Sequence, residues 1–169
     1  MRQIPFQSTS ATILAFQRWF STCNPAYAIP LLFASALLVG LGLFPIGAWI
    51  DARAGTWIQL PPINYRAWPF VFLAVVISPL AETLIYLWAV FRLAFLSSFV
   101  RQRAWIPSWL SAAIFGGQHF YSAGYIVLSF VVGLVLAYAF WLSGTFKRGY
   151  WVVAGAHCAL NIVALAIKW

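Results

Sequence analysis

Long apolar runs dominate the chain, and short segments between them carry most of its charged residues. The runs lie near 27–50, 67–91, 107–121, 124–143 and 150–167. Each approaches the roughly 20 residues that a helix needs to cross a bilayer core. None shows the alternation of apolar and polar residues that is typical of a membrane β-barrel, so helices are predicted. The third run is the shortest, and we expect its far end to pack against neighbouring helices.

Composition supports an all-α, polytopic transmembrane helical bundle with about five spans. Of the 169 residues, 64% are hydrophobic and 7% are charged, whereas about 25% are charged in soluble domains. The net charge of +8 comes from basic residues scattered between the apolar runs, so no nucleic-acid-binding face is predicted. More of these residues fall on the N-terminal side of a five-span bundle. By the positive-inside rule, the lipid bilayer is expected to be a bacterial cytoplasmic membrane, with the N-terminus inside.

Residues 1–25 are predicted to form a cytoplasmic or interfacial segment, which precedes a single transmembrane catalytic bundle over 26–169. No small-x-small cleavage site follows the apolar residues of the segment, which argues against a signal peptide. Apolar residues recur there at helical spacing, which suits a helix lying on the membrane surface. These residues are Ile13, Leu14, Phe16, Trp19 and Phe20.

Four polar residues interrupt the predicted spans. Glu82 lies in the middle of the second span, where an ionised carboxylate costs roughly 2.5–3.5 kcal/mol. The two histidines of the chain, His119 and His157, fall in the third and fifth spans. Asn161 follows His157 by four residues and therefore shares its helix face. At about 1.5 Å of rise per residue, all four side chains are predicted at a similar depth near mid-membrane.

Several functions are compatible with this cluster. A single intramembrane His or Asn is often a hydrogen bond between helices. A proton-linked carrier also uses Glu and His at midplane, although carriers are commonly built from repeated halves and this chain has no repeat. Glu82, His119 and His157 supply the ligand number of a catalytic zinc, yet the H-E-x-x-H motif is absent. The sequence leaves the presence of a metal, with zinc as the candidate, open.

The order of the motifs resembles the CPBP family of intramembrane proteases, also called Abi, which includes the CAAX prenyl endopeptidases. That family carries E-E-x-x-x-R, F-x-x-x-H and H-x-x-x-N on successive helices. Here the second motif is Phe115-Gly-Gly-Gln-His119 and the third is His157-Cys-Ala-Leu-Asn161. Glu82 aligns with the first glutamate of the first motif. The resemblance extends from about residue 77 to the C-terminus.

The first motif departs from the family pattern at two positions. Thr83 takes the place of the second glutamate, and Leu87 takes that of the arginine. Loss of one charge would leave the other buried and unpaired, at a cost of several kcal/mol. Because both charges are absent together, we expect that packing has replaced a supporting ion pair.

The resemblance implies an intramembrane endopeptidase acting on a membrane-anchored or lipidated protein or peptide. In that function Glu82 is the general base, and His119 holds the water or shuttles the proton. His157 and Asn161 stabilise the oxyanion or orient the water. A zinc ion held by Glu82, His119 and His157 is the other option. The alternative is a catalytically inactive immunity or scaffold protein of the same fold, which the residues Thr83 and Leu87 keep open.

Overall fold

The computed structural model describes residues 11–55, 67–101, 103 and 105–167, and within these it contains helices and no β-strand. Residues 1–10 of the predicted interfacial segment lie outside the described residues. The helices are α1 (Ala11–Thr22), α2 (Pro25–Ala54), α3 (Trp68–Ala94), α4 (Ser98–Arg101), α5 (Trp105–Gly117), α6 (Ala123–Leu142) and α7 (Phe146–Ile167).

Helices α2, α3, α6 and α7 are long and apolar enough to cross a membrane. The prediction of an all-α polytopic bundle is confirmed. The third predicted span, 107–121, is helical only as far as Gly117, and residues 118–122 form a turn. With 13 residues, α5 covers only about 20 Å of a bilayer core of about 30 Å.

Asp51 connects the end of α2 to the beginning of α6. The Ser122 hydroxyl donates to Oδ2 at 2.9 Å, and the Gly124 backbone N–H donates to Oδ1 at 2.7 Å. A carboxylate is favourable here because the first N–H groups of a helix have no partner within the helix. Asp51 therefore fixes the antiparallel register of α2 and α6.

Arg148 fastens α1 to the opposite end of the bundle. Its guanidinium donates to the carbonyl oxygens of Phe20 at 2.9 Å and Cys23 at 2.5 Å. These carbonyls lie at the end of α1, where helical N–H donors run out. Phe20 is buried in the core, whereas Phe16 and Trp19 are half exposed. The predicted N-terminal helix is thus docked through one edge and presents aromatic rings outward.

Helix α3 is not a regular α-helix. It contains π-helical turns at Leu73–Ile77 and Thr83–Ala89, on either side of the α-helical turn Ser78–Glu82. Pro79, in that turn, has no N–H to donate. Single π-helical turns inside α-helices frequently mark functional sites. Glu82 is the residue at which the helix passes into its second π-helical turn.

Glycine permits the closest helix contacts of the bundle. A Cβ on Gly124 would lie 2.2 Å from the carbonyl oxygen of Gly47 and 2.8 Å from Cγ of Asp51. A Cβ on Gly133 would lie 2.9 Å from the Phe115 ring, so α5 and α6 also meet at a small residue. Small residues at such crossings allow helix backbones to approach within a membrane.

Replacing Gly124 by Ala should therefore lower the thermal stability of the purified protein. The added methyl group meets backbone rather than a flexible side chain, and overpacking of this kind costs about 1–3 kcal/mol or more. Gly42→Ala is the matched control on α2, because a Cβ there meets nothing within 4 Å. Equal melting temperatures for the two variants would show that α2 and α6 are not packed as described.

Candidate active site

Glu82 is paired with His157 inside the bundle. Oε2 of Glu82 lies 3.6 Å from Nε2 of His157, and the two side chains are 19% and 7% exposed. The Ser78 hydroxyl, one turn earlier on α3, donates to Oε1 of Glu82 at 2.5 Å. Within the described residues the carboxylate forms no ion pair with a Lys or Arg. Its partners are a hydroxyl and an imidazole, so it is held in place without a permanent positive charge.

His119 lies next to this pair, with the ring of Phe115 between the two imidazoles. The Phe115 ring centroid is 4.8 Å from that of His119 and 5.6 Å from that of His157. Nδ1 of His119 lies 2.7 Å from the Phe115 carbonyl oxygen. A carbonyl oxygen only accepts, so Nδ1 is the donor, and a neutral His119 has its lone pair on Nε2. His119 therefore has one nitrogen free to act as a proton acceptor.

A cavity of about 260 Å³ adjoins these residues and is enclosed by α2, α5, α6 and α7. His119, His157 and Asn161 line it, while most of its remaining wall is apolar. Leu41 and Phe44 also line the cavity and are more than half exposed, so it opens at the surface of the bundle. The structure thus brings both histidines and Asn161 to one cavity, and Glu82 contacts His157.

Asn161 has a structural partner that the sequence did not reveal. Its Nδ2 donates to the carbonyl oxygen of Ala74 on α3 at 2.8 Å. The Ser78 N–H, which would bond Ala74 in an α-helix, instead donates to Leu73. The next residue, Pro79, has no N–H for a π-helical bond. Asn161 therefore supplies the donor that this carbonyl lacks, and one of its two amide hydrogens is committed to the fold.

The residues proposed as zinc ligands do not form a ligand group. Among residues 11–55, 67–101, 103 and 105–167, no three His, Cys, Asp or Glu side chains are placed to hold a metal ion. Glu82 and His157 are adjacent, but the Phe115 ring stands between His157 and His119. Glu82, His119 and His157 in this arrangement do not fit a three-ligand zinc site, and no chemical step is derived through a metal.

Thr83 and Leu87, which replace the charged residues of the first family motif, are both buried. Leu87 belongs to the main apolar core. The Thr83 hydroxyl has no hydrogen-bond partner in the described part of the chain. Both side chains are thus packed without a charge, as expected for a pair of charges lost together.

Sequence reasoning missed two residues at this site. Ser78 lies four residues before Glu82, and this spacing could have identified it as a neighbour on one helix face. Tyr125 lines the cavity, and its ring meets His119 edge-on at a centroid distance of 5.3 Å. No spacing rule predicts that contact, because the turn at residues 118–122 sets it.

The carbonyl of Ala74 provides a test of the role of Asn161. Asn161→Ala should lower the free energy of unfolding by about 1–3 kcal/mol, because a buried acceptor loses its donor. In a Pro79→Ala background the loss should be smaller, since residue 79 then offers an N–H to the same turn. Ser35→Ala is the control, because its hydroxyl bonds only the carbonyl of Leu31 within the same helix.

The four proteins needed for this cycle can be compared by thermal unfolding in one detergent. An equal loss from Asn161→Ala with and without Pro79 would contradict the link between the two residues.

Comparison with known families identifies the chain. The sequence profile described as "Type II CAAX prenyl endopeptidase Rce1-like" matches residues 64–163, which is more than half of the 169 residues. Comparison with curated proteins and with solved structures gives no match. The matched region contains Glu82, both histidines and Asn161. The resemblance to CAAX-type intramembrane proteases is confirmed, and the chain belongs to the type II CAAX prenyl endopeptidase Rce1-like family.

Proposed function

We propose that this protein is an intramembrane endopeptidase, which hydrolyses a peptide bond of a membrane-anchored or lipidated substrate. One observation carries the proposal. A carboxylate, Glu82, is paired with His157 beside a cavity within an apolar helical bundle. A buried carboxylate with no fixed cation is costly for a bilayer protein and needs a function to justify it. The prenyl endopeptidase family makes a prenylated protein the first substrate to test.

The proposed reaction begins with a water molecule between Glu82 and a histidine. Glu82 takes a proton as the water oxygen attacks the scissile carbonyl carbon. Ser78 holds Oε1, which leaves Oε2 directed towards His157. Collapse of the tetrahedral intermediate breaks the C–N bond, and the proton passes to the leaving amine. His119, through its free Nε2, is the candidate to move that proton.

The inactive immunity or scaffold alternative is not favoured. A protein without catalysis has no need to retain the family glutamate, both histidines and the asparagine together. Thr83 and Leu87, which kept this alternative open, are accommodated by packing. Their substitution removes a supporting pair and leaves Glu82 with Ser78 and His157 as partners.

We further propose that the protein resides in a bacterial cytoplasmic membrane with its N-terminus inside. Arg92, Arg103 and Arg148 lie near one end of the bundle, at the C-terminal ends of α1 and α3 and the beginning of α7. Among the described basic residues, Arg53 alone lies at the opposite end, close to Asp51. This asymmetry supports a cytoplasmic location for the first end.

Glu82→Gln should separate catalysis from stability. The amide keeps the shape of the side chain but cannot act as a base, so cleavage should fall about 10²-fold or more. Removal of an ionisable group from the bilayer interior should leave the melting temperature unchanged or higher. Both quantities can be measured on the same purified protein with a prenylated peptide substrate.

Asp51→Asn is the matched control for this experiment, since it makes the same chemical change outside the cavity. It weakens the cap of α6 and should lower the melting temperature with little effect on turnover. Cleavage by Glu82→Gln within a few-fold of the wild-type rate would refute the proposed role of Glu82.

A further inference from the structure

Tyr125 presents a hydroxyl group at the cavity, and this group has no assigned task. The residue lines the same cavity as His119, His157 and Asn161. Its ring meets His119 edge-on, with an interplanar angle of 70°. The hydroxyl makes no hydrogen bond within the described residues. Tyr125 and Glu82 are also near enough to interact electrostatically.

The fold holds Tyr125 in a fixed position. Its backbone N–H donates to the Ser122 hydroxyl oxygen at 3.2 Å, and that hydroxyl donates to Asp51 at 2.9 Å. Tyr125 therefore belongs to the capped first turn of α6. A donor placed in advance on a rigid element requires no reorganisation when charge develops on a substrate.

The other donors around the cavity are already committed. Nδ2 of Asn161 donates to the Ala74 carbonyl, and Nδ1 of His119 donates to the Phe115 carbonyl. Nε2 of His157 faces Glu82. Peptide hydrolysis needs a donor for the oxygen that becomes negatively charged, and tyrosine hydroxyls fill this role in other enzymes.

We propose that Tyr125 is a further catalytic residue, whose hydroxyl donates a hydrogen bond to the scissile carbonyl oxygen. This inference rests on the proposed endopeptidase function. As the water oxygen bonds to the carbonyl carbon, the C=O π electrons move onto the carbonyl oxygen and Glu82 receives the water proton. Tyr125 keeps its own proton throughout and strengthens its hydrogen bond as the charge develops. Collapse of the intermediate re-forms C=O and expels the amine.

Tyr125→Phe tests the hydroxyl, because it preserves the ring that packs against His119. The turnover number for a prenylated peptide should fall about 10²-fold, while KM changes by less than a few-fold and the melting temperature is unchanged. A phosphinate analogue of the tetrahedral intermediate should lose affinity by a similar factor. The uncleaved substrate should bind a doubly substituted Tyr125→Phe, Glu82→Gln protein as tightly as Glu82→Gln alone.

Tyr121→Phe is the matched control. Tyr121 contacts the Tyr125 ring at a centroid distance of 5.7 Å but is not part of the cavity wall, so its turnover should equal that of the wild type. Wild-type turnover in Tyr125→Phe would overturn the inference and leave the endopeptidase proposal intact. Equal losses in both variants would also overturn it, because packing would then explain the effect. Absence of cleavage by the wild-type protein would instead reject the endopeptidase function and, with it, the role of Tyr125.

Discussion

A polar group inside a bilayer must find a partner within the protein, and this requirement organises the structure around α3. The helix carries Glu82 and two π-helical turns, and each feature would be costly if left exposed to lipid. Ser78 and His157 provide partners for the carboxylate. Asn161 provides a donor for the carbonyl that the first irregular turn leaves without one. The position of the carboxylate and the pairing of its helix backbone are therefore the same structural problem.

Neighbouring helices hold α3 at three carbonyls along its length. Asn161 and Tyr150, both on α7, donate to Ala74 and Leu80, at 2.8 Å and 3.4 Å. Ser111 on α5 donates to the carbonyl of Tyr86, within the second π-helical turn. These bonds fix α3 against the two helices that carry the histidines. A site built on helices fixed in this way keeps its side chains in position more precisely than a site built on loops.

The sequence predicted the helical bundle, the family and the set of polar residues near the cavity, because apolar runs and intramembrane charges are strong local signals. It could not predict the bond from Asn161 to Ala74, because 87 residues separate the partners and the need arises from a π-helical turn. The oxyanion role expected for Asn161 stays a prediction, with one amide hydrogen engaged elsewhere. Likewise, α5 ends at Gly117, and the turn that brings Tyr125 to His119 depends on the Asp51 cap. Tertiary contacts decide these features.

The central claim is that Glu82 and His157 act together on one water molecule. Single-turnover cleavage by Glu82→Gln, His157→Gln and the double variant measures this coupling directly. Residues that act as a unit give losses that are not additive, so the double variant should be no more than a few-fold slower than the slower single variant. A rate for the double variant equal to the product of the two separate losses would show that the residues act independently, and would contradict the proposed mechanism.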